Sequence, residues 1–350
     1  MRAAVAVLAA AALCAGGGGC GAEPAALPPA VASPALALWS EFLSDAEVRA
    51  ALPLLAKEGA ALYLALSAAR IGDPALAALL RDAAGAGVPV RAWLLLSEQD
   101  GYWANEHNAS EVRAAALAFA DWREAEALPV GWLIFDLEMA LERSRAVSEA
   151  IEQEGLVAGL EKIKEGRDPA SFAAHRQQYF ELVAELQARG LRVMGVTYPM
   201  VLDDAADGDD DIQDELDVPI GGVPWDEASF MVYQSLIYDL SGSWHGPDVI
   251  YSYARSAVEQ HGARAAVALG IVGQAGIDPV SMPYPDASTL LRDHAAARAG
   301  GAGSISIYSL DGLLQQDDPG AWLDAVVAPV VPEEGDAEVL RGQIRGFLDG

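Results

Sequence analysis

Short apolar runs recur along the chain, and amphipathic stretches with helix start and stop signals separate them. Ser44 and Glu47 form a capping box before one such stretch, and another opens with Pro74. The apolar runs have the length and composition of buried strands. Eight strands are predicted, at residues 35–42, 61–68, 89–96, 131–138, 191–198, 229–235, 263–272 and 304–310.

The strands are hydrophobic almost throughout, which is typical of a parallel sheet covered on both faces. Eight strand–helix units predict an α/β fold, a single-domain (β/α)8 TIM barrel over residues 35–328. A doubly wound open sheet is the rival, but no glycine-rich phosphate loop follows the first strand. Residues 329–350 are predicted to form an acidic tail with a short helix.

The N-terminal residues differ in composition from the rest of the chain. Arg2 precedes an alanine-rich apolar run, and small residues precede Cys20. This pattern predicts a bacterial lipoprotein signal peptide at 1–20, with Cys20 lipidated and anchoring an exported cell-envelope protein to a membrane. An ordinary cleaved signal is the alternative. The Pro- and Ala-rich residues 21–34 are predicted to be a linker.

Charge and composition exclude several classes of function. A formal net charge of -29 disfavours a nucleic-acid partner, because phosphate contacts need clustered Lys and Arg. The only cysteines, Cys14 and Cys20, lie in the N-terminal region, so the predicted barrel has no thiolate metal site. The five histidines are scattered without ligand spacing. We therefore predict neither a metal nor a cofactor.

Polar and aromatic residues cluster where the predicted strands end. In a (β/α)8 barrel these ends form the rim that carries the active site. Acids, amides and aromatic rings are suited to a carbohydrate ligand, since rings stack on sugars and carboxylates bond hydroxyls. The residues at the strand ends are Trp39, Glu41, Ser67, Glu98, Asp100, Tyr102, Trp103, Asn105, Asp136, Glu138, Tyr198, Asp203, Asp204, Tyr233, Gln234, Gln274, Tyr308 and Asp311.

The fourth strand ends in two acids, Asp136 and Glu138. Side chains alternate along a strand, so both acids point to the same side, which can be the mouth of the barrel. Their mutual repulsion is expected to raise one pKa, and such an acid can donate a proton near neutral pH. A structural acid pair that accepts bonds from loop amides is the alternative.

On these residues the chain resembles the family 18 glycoside hydrolases, the chitinases and endo-β-N-acetylglucosaminidases. The fourth strand of that family ends in D-x-x-D-x-D-x-E, whose last two acids fall on Asp136 and Glu138. The segment MVYQ at 231–234 is similar to the family's M-x-Y-[DN], and Tyr308 stands where the family usually has Trp. The resemblance implies that Glu138 protonates the glycosidic oxygen, Asp136 orients the substrate's N-acetyl group and Tyr233 hydrogen-bonds its carbonyl oxygen.

The predicted function is cleavage of a glycan, with N-acetylhexosamine as a candidate component. The chain departs from the family pattern at Gly131 and Ile134, where the family has Asp. Two alternatives stay open: a different barrel glycosidase with Glu98 or Asp203 as second carboxylate, and a non-catalytic carbohydrate-binding lipoprotein. The predicted substrate-binding residues are Glu98, Trp103, Tyr198, Asp203, Gln234 and Tyr308.

The acidic segment 203–217 partly matches a calcium-binding loop. A calcium loop of the EF-hand type would have an acid or amide at its third position, where Ala205 stands, and Glu at its twelfth, where Asp214 stands. We predict a solvated loop after the fifth strand instead.

Overall fold

Eight parallel strands form one closed barrel in the computed structural model, which describes residues 34–154, 156–241, 243–274, 282–324 and 337–342. β1 and β8 pair, with Trp39 opposite Tyr308, and so close the sheet. This confirms the predicted (β/α)8 barrel. The strands are β1 (Leu36–Ser40), β2 (Ala61–Ser67), β3 (Val90–Leu95), β4 (Trp132–Asp136), β5 (Arg192–Thr197), β6 (Glu227–Met231), β7 (Ala265–Gly270) and β8 (Ser304–Tyr308).

Helices follow the strands and bury their apolar faces against the sheet. The predicted capping box is present: the Ser44 backbone N–H donates to Glu47 Oε2 at 2.8 Å, and the Ser44 side chain accepts from the Glu47 N–H at 3.4 Å. The α-helices are Asp45–Glu58, Pro74–Gly85, Ala109–Ala125, Leu141–Glu154, Leu156–Lys164, Pro169–Ala188, Val201–Asp207, Asp211–Glu215, Gln234–Ser241, Pro247–His261, Ala287–Ala299 and Leu310–Leu313.

The barrel interior contains a buried ion pair. Arg91 of β3 donates to both carboxylate oxygens of Glu227 on β6, at 2.9 and 3.1 Å. The guanidinium of Arg91 also lies over the Trp132 ring, 3.8 Å from its centroid. Trp39 donates its indole N–H to Ser306 at 2.8 Å and meets the Trp93 ring edge-on. These side chains fill the described part of the barrel interior, and a pocket opens near the carboxyl ends of the strands.

The acidic segment after β5 is not the solvated loop that the sequence predicts. It forms the helices Val201–Asp207 and Asp211–Glu215, and Asp203, Asp204 and Asp217 are fully buried. Each of these carboxylates contacts a polar or charged side chain from another part of the chain. Asp203 pairs with Arg341, Asp204 accepts from Gln213, and Asp217 pairs with Arg143. Arg341 belongs to residues 337–342, which are helical and pack on the barrel.

The predicted signal peptide and its lipidated Cys20 lie outside the described residues, as does most of the predicted linker. Export and membrane anchoring therefore stay predictions. Within the described ranges, no helix is both long and apolar enough to cross a bilayer.

Candidate active site at the barrel mouth

A pocket opens at the carboxyl end of the barrel, with about 350 Å³ of free space when its open mouth is included, and we call it the mouth pocket. Strand alternation sends every second side chain inward, so Asp136 and Glu138 both face this cavity. The residues that line it are Trp39, Glu41, Trp93, Trp103, Asp136, Glu138, Val196, Met231, Tyr233 and Tyr308. Three carboxyl groups and five aromatic rings therefore share one small space.

Glu41 follows β1 and is held by two tyrosine hydroxyls. Tyr102 donates to Oε1 at 2.7 Å, and Tyr308 donates to Oε2 at 2.5 Å. Burial raises the pKa of Glu41 to about 7, although both hydrogen bonds act to lower it. At neutral pH the group is therefore close to half-protonated and can both accept and donate a proton.

Asp136 and Glu138 have different surroundings although they are two residues apart. Asp136 is buried, and its Oδ1 has no hydrogen-bond partner. Burial, followed by repulsion from Glu138 and Glu41, raises its pKa well above the usual value. Glu138 accepts a hydrogen bond from Tyr198 at 3.0 Å, and burial raises its pKa to about 7. Asp136 is therefore protonated more readily than an exposed aspartate, and Glu138 can exchange a proton near neutral pH.

Aromatic rings form the walls and floor of the mouth pocket. Tyr233 stacks on Tyr308 with ring centroids 5.9 Å apart and an angle of 26° between the planes. Trp103, in the loop after β3, packs edge-on against Tyr102 at 5.2 Å. Trp103 is almost completely buried and also lines the pocket, so it both packs beneath its loop and presents a ring to a ligand.

Six of the residues that sequence reasoning selected meet at this site. Asp136, Glu138 and Tyr233, selected as catalytic, line the pocket, as do Trp103 and Tyr308. Tyr198 reaches the site through its hydrogen bond to Glu138. Their roles remain proposals, but their convergence follows from the alternation of side chains at strand ends.

Three selected residues lie elsewhere. Glu98 is exposed and lies 3.6 Å from Arg145. Asp203 is turned toward Arg341, whose Nη2 is 2.6 Å from Oδ1. Gln234 is fully buried at the start of a helix and donates to the carbonyl of Gly246. Each follows a strand in sequence, but a helical turn after the strand directs its side chain away from the pocket.

Sequence reasoning placed Glu41 and Trp39 at a strand end without giving either a role, and it missed Trp93. Met231 entered it only as the first residue of the MVYQ motif. The importance of Glu41 depends on Tyr102 and Tyr308, which are 61 and 267 residues away. Trp93 lies within an apolar strand. No sequence feature near it distinguishes a side chain that lines a pocket from one in the hydrophobic core. Strand alternation from Glu41 back to Trp39 was the one usable signal.

The pocket carboxyls do not form a compact metal-ligand set. Within the described part of the chain, one group of three metal-ligating side chains has ligand atoms within 4.8 Å of one another, and it comprises Glu106, His107 and Asp217. None of these lines the mouth pocket. The side chains that line the mouth pocket offer carboxyl and hydroxyl groups.

No protein-family model and no curated protein sequence matches the chain. Solved structures do match. D-psicose 3-epimerase from Clostridium cellulolyticum H10 is 11% identical with a TM-score of 0.44, over 90% of this chain and 96% of that one. D-allulose 3-epimerase from Methylomonas sp. is 14% identical with a TM-score of 0.45, over 93% and 99%. A xylose isomerase-like TIM barrel protein from Mycobacterium smegmatis is 12% identical with a TM-score of 0.44, over 88% and 91%.

The predicted resemblance to family 18 glycoside hydrolases is wrong. No family model supports it, and the structures named above are sugar epimerases and a xylose isomerase-like barrel rather than chitinases. The site gives a physical reason. Ile134 stands where that family has its middle Asp, and it is fully buried two residues before Asp136 on the same strand. Asp136 therefore lacks the acid partner that the glycosidase scheme needs. Glycan cleavage with Glu138 as general acid is therefore withdrawn, as is the alternative of a carbohydrate-binding lipoprotein.

Proposed function

We propose that the mouth pocket binds a monosaccharide-sized carbohydrate and transfers protons on it, as an isomerase or epimerase does. The observation that carries this proposal is the pair Glu41 and Glu138. Both have a pKa of about 7, and both face one aromatic-lined cavity. Groups whose pKa lies near the working pH are the most effective general acids and bases.

The lining of the pocket favours a small neutral polyhydroxyl ligand. The Trp and Tyr rings can pack against the apolar face of a sugar, and the carboxyl groups can bond its hydroxyls. The lining contains no Lys, Arg or His, so a phosphorylated ligand would lack a charge partner.

Two proton-exchanging groups on different walls suit a 1,2-proton shift or an inversion at carbon. Glu41 follows β1 and Glu138 follows β4, three strands further around the barrel. One glutamate would remove a proton from a carbon beside a carbonyl, and the other would return a proton to the same sugar. The composition of the ligand is then unchanged. Asp136 has no partner at Oδ1, and burial favours its protonated form. In that form it would donate a hydrogen bond to the carbonyl oxygen on which charge develops.

A small organic ammonium ligand is the second candidate, because aromatic faces together with carboxylates attract cations. The raised pKa values of Glu41, Asp136 and Glu138 weigh against it. Acids that are partly protonated at neutral pH supply less negative charge than ionised carboxylates do. The neutral sugar is therefore the better match.

The test is solvent-deuterium exchange. The full-length protein would be incubated in D2O with a panel of unphosphorylated aldoses and ketoses, and ¹H NMR would follow loss of signal at carbons beside the carbonyl. We expect exchange with at least one sugar, reduced about a hundredfold or more in Glu41→Gln and in Glu138→Gln. Glu181→Gln, an exposed acid on the helix Pro169–Ala188, is the matched control and should exchange at the wild-type rate.

Two outcomes would contradict the proposal. Equal exchange in wild type and in both pocket variants would mean that the glutamates do not transfer the proton. Absence of exchange with every sugar, together with saturable binding of tetramethylammonium, would favour the ammonium ligand instead.

A further inference from the structure

A second group of polar side chains lies outside the mouth pocket, where two loops meet. Glu106 and His107 belong to the loop after β3, and Asp217 lies in the segment after β5. Each residue offers one ligand atom, and these three atoms lie within 4.8 Å of one another. The Glu106 N–H donates to the carbonyl of Asp217 at 2.9 Å, which fixes the two loops against each other.

Two of these side chains are buried carboxylates with unsatisfied oxygens. Glu106 and Asp217 are both 0% exposed. Glu106 Oε1 accepts from Ser171 at 3.1 Å, but Oε2 has no hydrogen-bond partner, and Asp217 Oδ2 also has none. A buried carboxylate oxygen without a donor is costly and requires an explanation. A cation bound between the two carboxylates would supply such a partner.

The remaining contacts leave room for a cation. The imidazole of His107 is half-exposed, with Nε2 3.3 Å from Asp217 Oδ1 and Nδ1 3.6 Å from Glu106 Oε1. Arg143 pairs with Oδ1 of Asp217 and leaves Oδ2 available. The guanidinium of Arg143 contacts one of the two carboxylates, that of Asp217, and the exposed edge of His107 provides a path for entry from solvent.

We propose that Glu106, His107 and Asp217 form a binding site for a divalent transition-metal cation, with Zn²⁺ as the best match. One imidazole and two carboxylates are ligands that Zn²⁺ accepts in tetrahedral sites, with water in the fourth position. Ca²⁺ and Mg²⁺ prefer oxygen ligands throughout, so the imidazole argues against them. This site goes beyond the proposed sugar chemistry and does not depend on it.

Such a site would stabilise the loop that forms one wall of the mouth pocket. Trp103, which lines the pocket, lies three residues before Glu106 in the same loop. A metal held by Glu106 and Asp217 would tie this loop to the segment after β5. We therefore assign the cation a positioning role rather than a role in proton transfer.

The experiment is isothermal titration of the chelator-treated full-length protein with ZnCl2. Cys14→Ser and Cys20→Ser would be included in every sample, because thiolates bind Zn²⁺ as well. We expect one saturable site per chain. His107→Ala should weaken it by about a hundredfold or more, since losing even an outer-shell partner costs roughly 10–100-fold. His107→Gln is the second variant, and Glu181→Gln is the matched control and should bind as wild type does.

Three results would overturn the proposal. The first is no saturable binding by the wild-type protein, and the second is equal affinity in wild type and in both His107 variants. The third is stronger binding of Ca²⁺ than of Zn²⁺. Circular dichroism of each variant shows whether it is folded, and because His107 is half-exposed, its replacement should leave the barrel intact.

Discussion

Tyrosine hydroxyls tune the acids of the mouth pocket at the scale of single residues. Tyr102 and Tyr308 donate to Glu41, and Tyr198 donates to Glu138. These bonds stabilise the ionised carboxylate, while burial stabilises the protonated form. The balance of the two leaves both glutamates with a pKa of about 7, where a proton can move in either direction.

Replacing Tyr308 by Phe should therefore raise the pKa of Glu41 further. A hydrogen bond to a charged group contributes about 1.5 kcal/mol, and about 1.4 kcal/mol corresponds to one pKa unit, so we expect an upward shift of about one unit. Titration of the ¹³C-labelled carboxyl group by NMR measures it. Glu138, whose donor is Tyr198, is the internal control and should shift less. An unchanged Glu41 pKa would mean that this hydroxyl does not stabilise the carboxylate.

The period of two along a strand was enough to predict that Asp136 and Glu138 share a cavity. It was not enough to predict which residues the side chains after a strand contact. Glu98 and Asp203 also follow strands, yet a 3₁₀ turn exposes Glu98, and Arg341 holds Asp203 on the far side of its helix. Side-chain direction after a strand depends on contacts with distant residues, and no local pattern encodes them.

Strand positions were predicted closely at the scale of elements, because a buried parallel strand is a continuous apolar run. β6 differs from the others in that it begins before its predicted range, at Glu227 rather than at residue 229. A charged residue does not normally start a buried strand. Glu227 does so because Arg91 reaches it across the barrel interior, and the apolar pattern contains no sign of that pair.

A buried ion pair joins the helix at residues 337–342 to the helix Val201–Asp207. Arg341 donates to Asp203 Oδ1 from Nε at 3.0 Å and from Nη2 at 2.6 Å, and its guanidinium lies 4.4 Å from the centroid of the Tyr253 ring. Both charged side chains are buried. Removing one partner of a buried ion pair lowers the free energy of unfolding far more than removing one partner of an exposed pair, because the remaining charge stays desolvated.

Arg341→Ala should therefore lower the free energy of unfolding by about 3 kcal/mol or more. Arg49→Ala is the matched control, because Arg49 pairs with Asp82 at 2.7 Å on the surface. Its loss should cost less than about 1 kcal/mol. Urea denaturation of wild type and both variants gives the comparison. Equal losses would show that the Arg341 contact contributes no more than a surface pair.

Buried acids with raised pKa values are spread over the whole molecule. Burial is the main cause in each case, and it raises the pKa of Glu41, Glu138 and Asp293 to about 7 and that of Asp204 to about 8. Each therefore binds its proton more tightly in the folded protein than in the unfolded chain. The formal net charge of -29 adds repulsion that acidification relieves.

The protein should consequently be more stable in mild acid than at neutral pH. For an acid whose folded pKa is raised, the stabilising contribution is complete below the unfolded pKa of about 4.5 and is lost as pH rises toward about 7. The free energy of unfolding, from urea denaturation at about pH 5.5, 6.5 and 7.5, should fall along this series. Replacing Glu41 and Glu138 together by Gln should flatten the slope. A rise in stability with pH would contradict the prediction.

The pairing of β1 with β8 has a consequence for biosynthesis. Trp39 contacts Ser306, 267 residues further along. At a translation rate of roughly 5–20 residues per second, β1 leaves the ribosome on the order of tens of seconds before its second neighbour. During that interval the backbone N–H and C=O groups on one edge of β1 have no partner strand. Such an unpaired edge can form incorrect pairs with other nascent chains. Cellular yield should therefore respond to holdase chaperones that shield this segment until the last strand emerges.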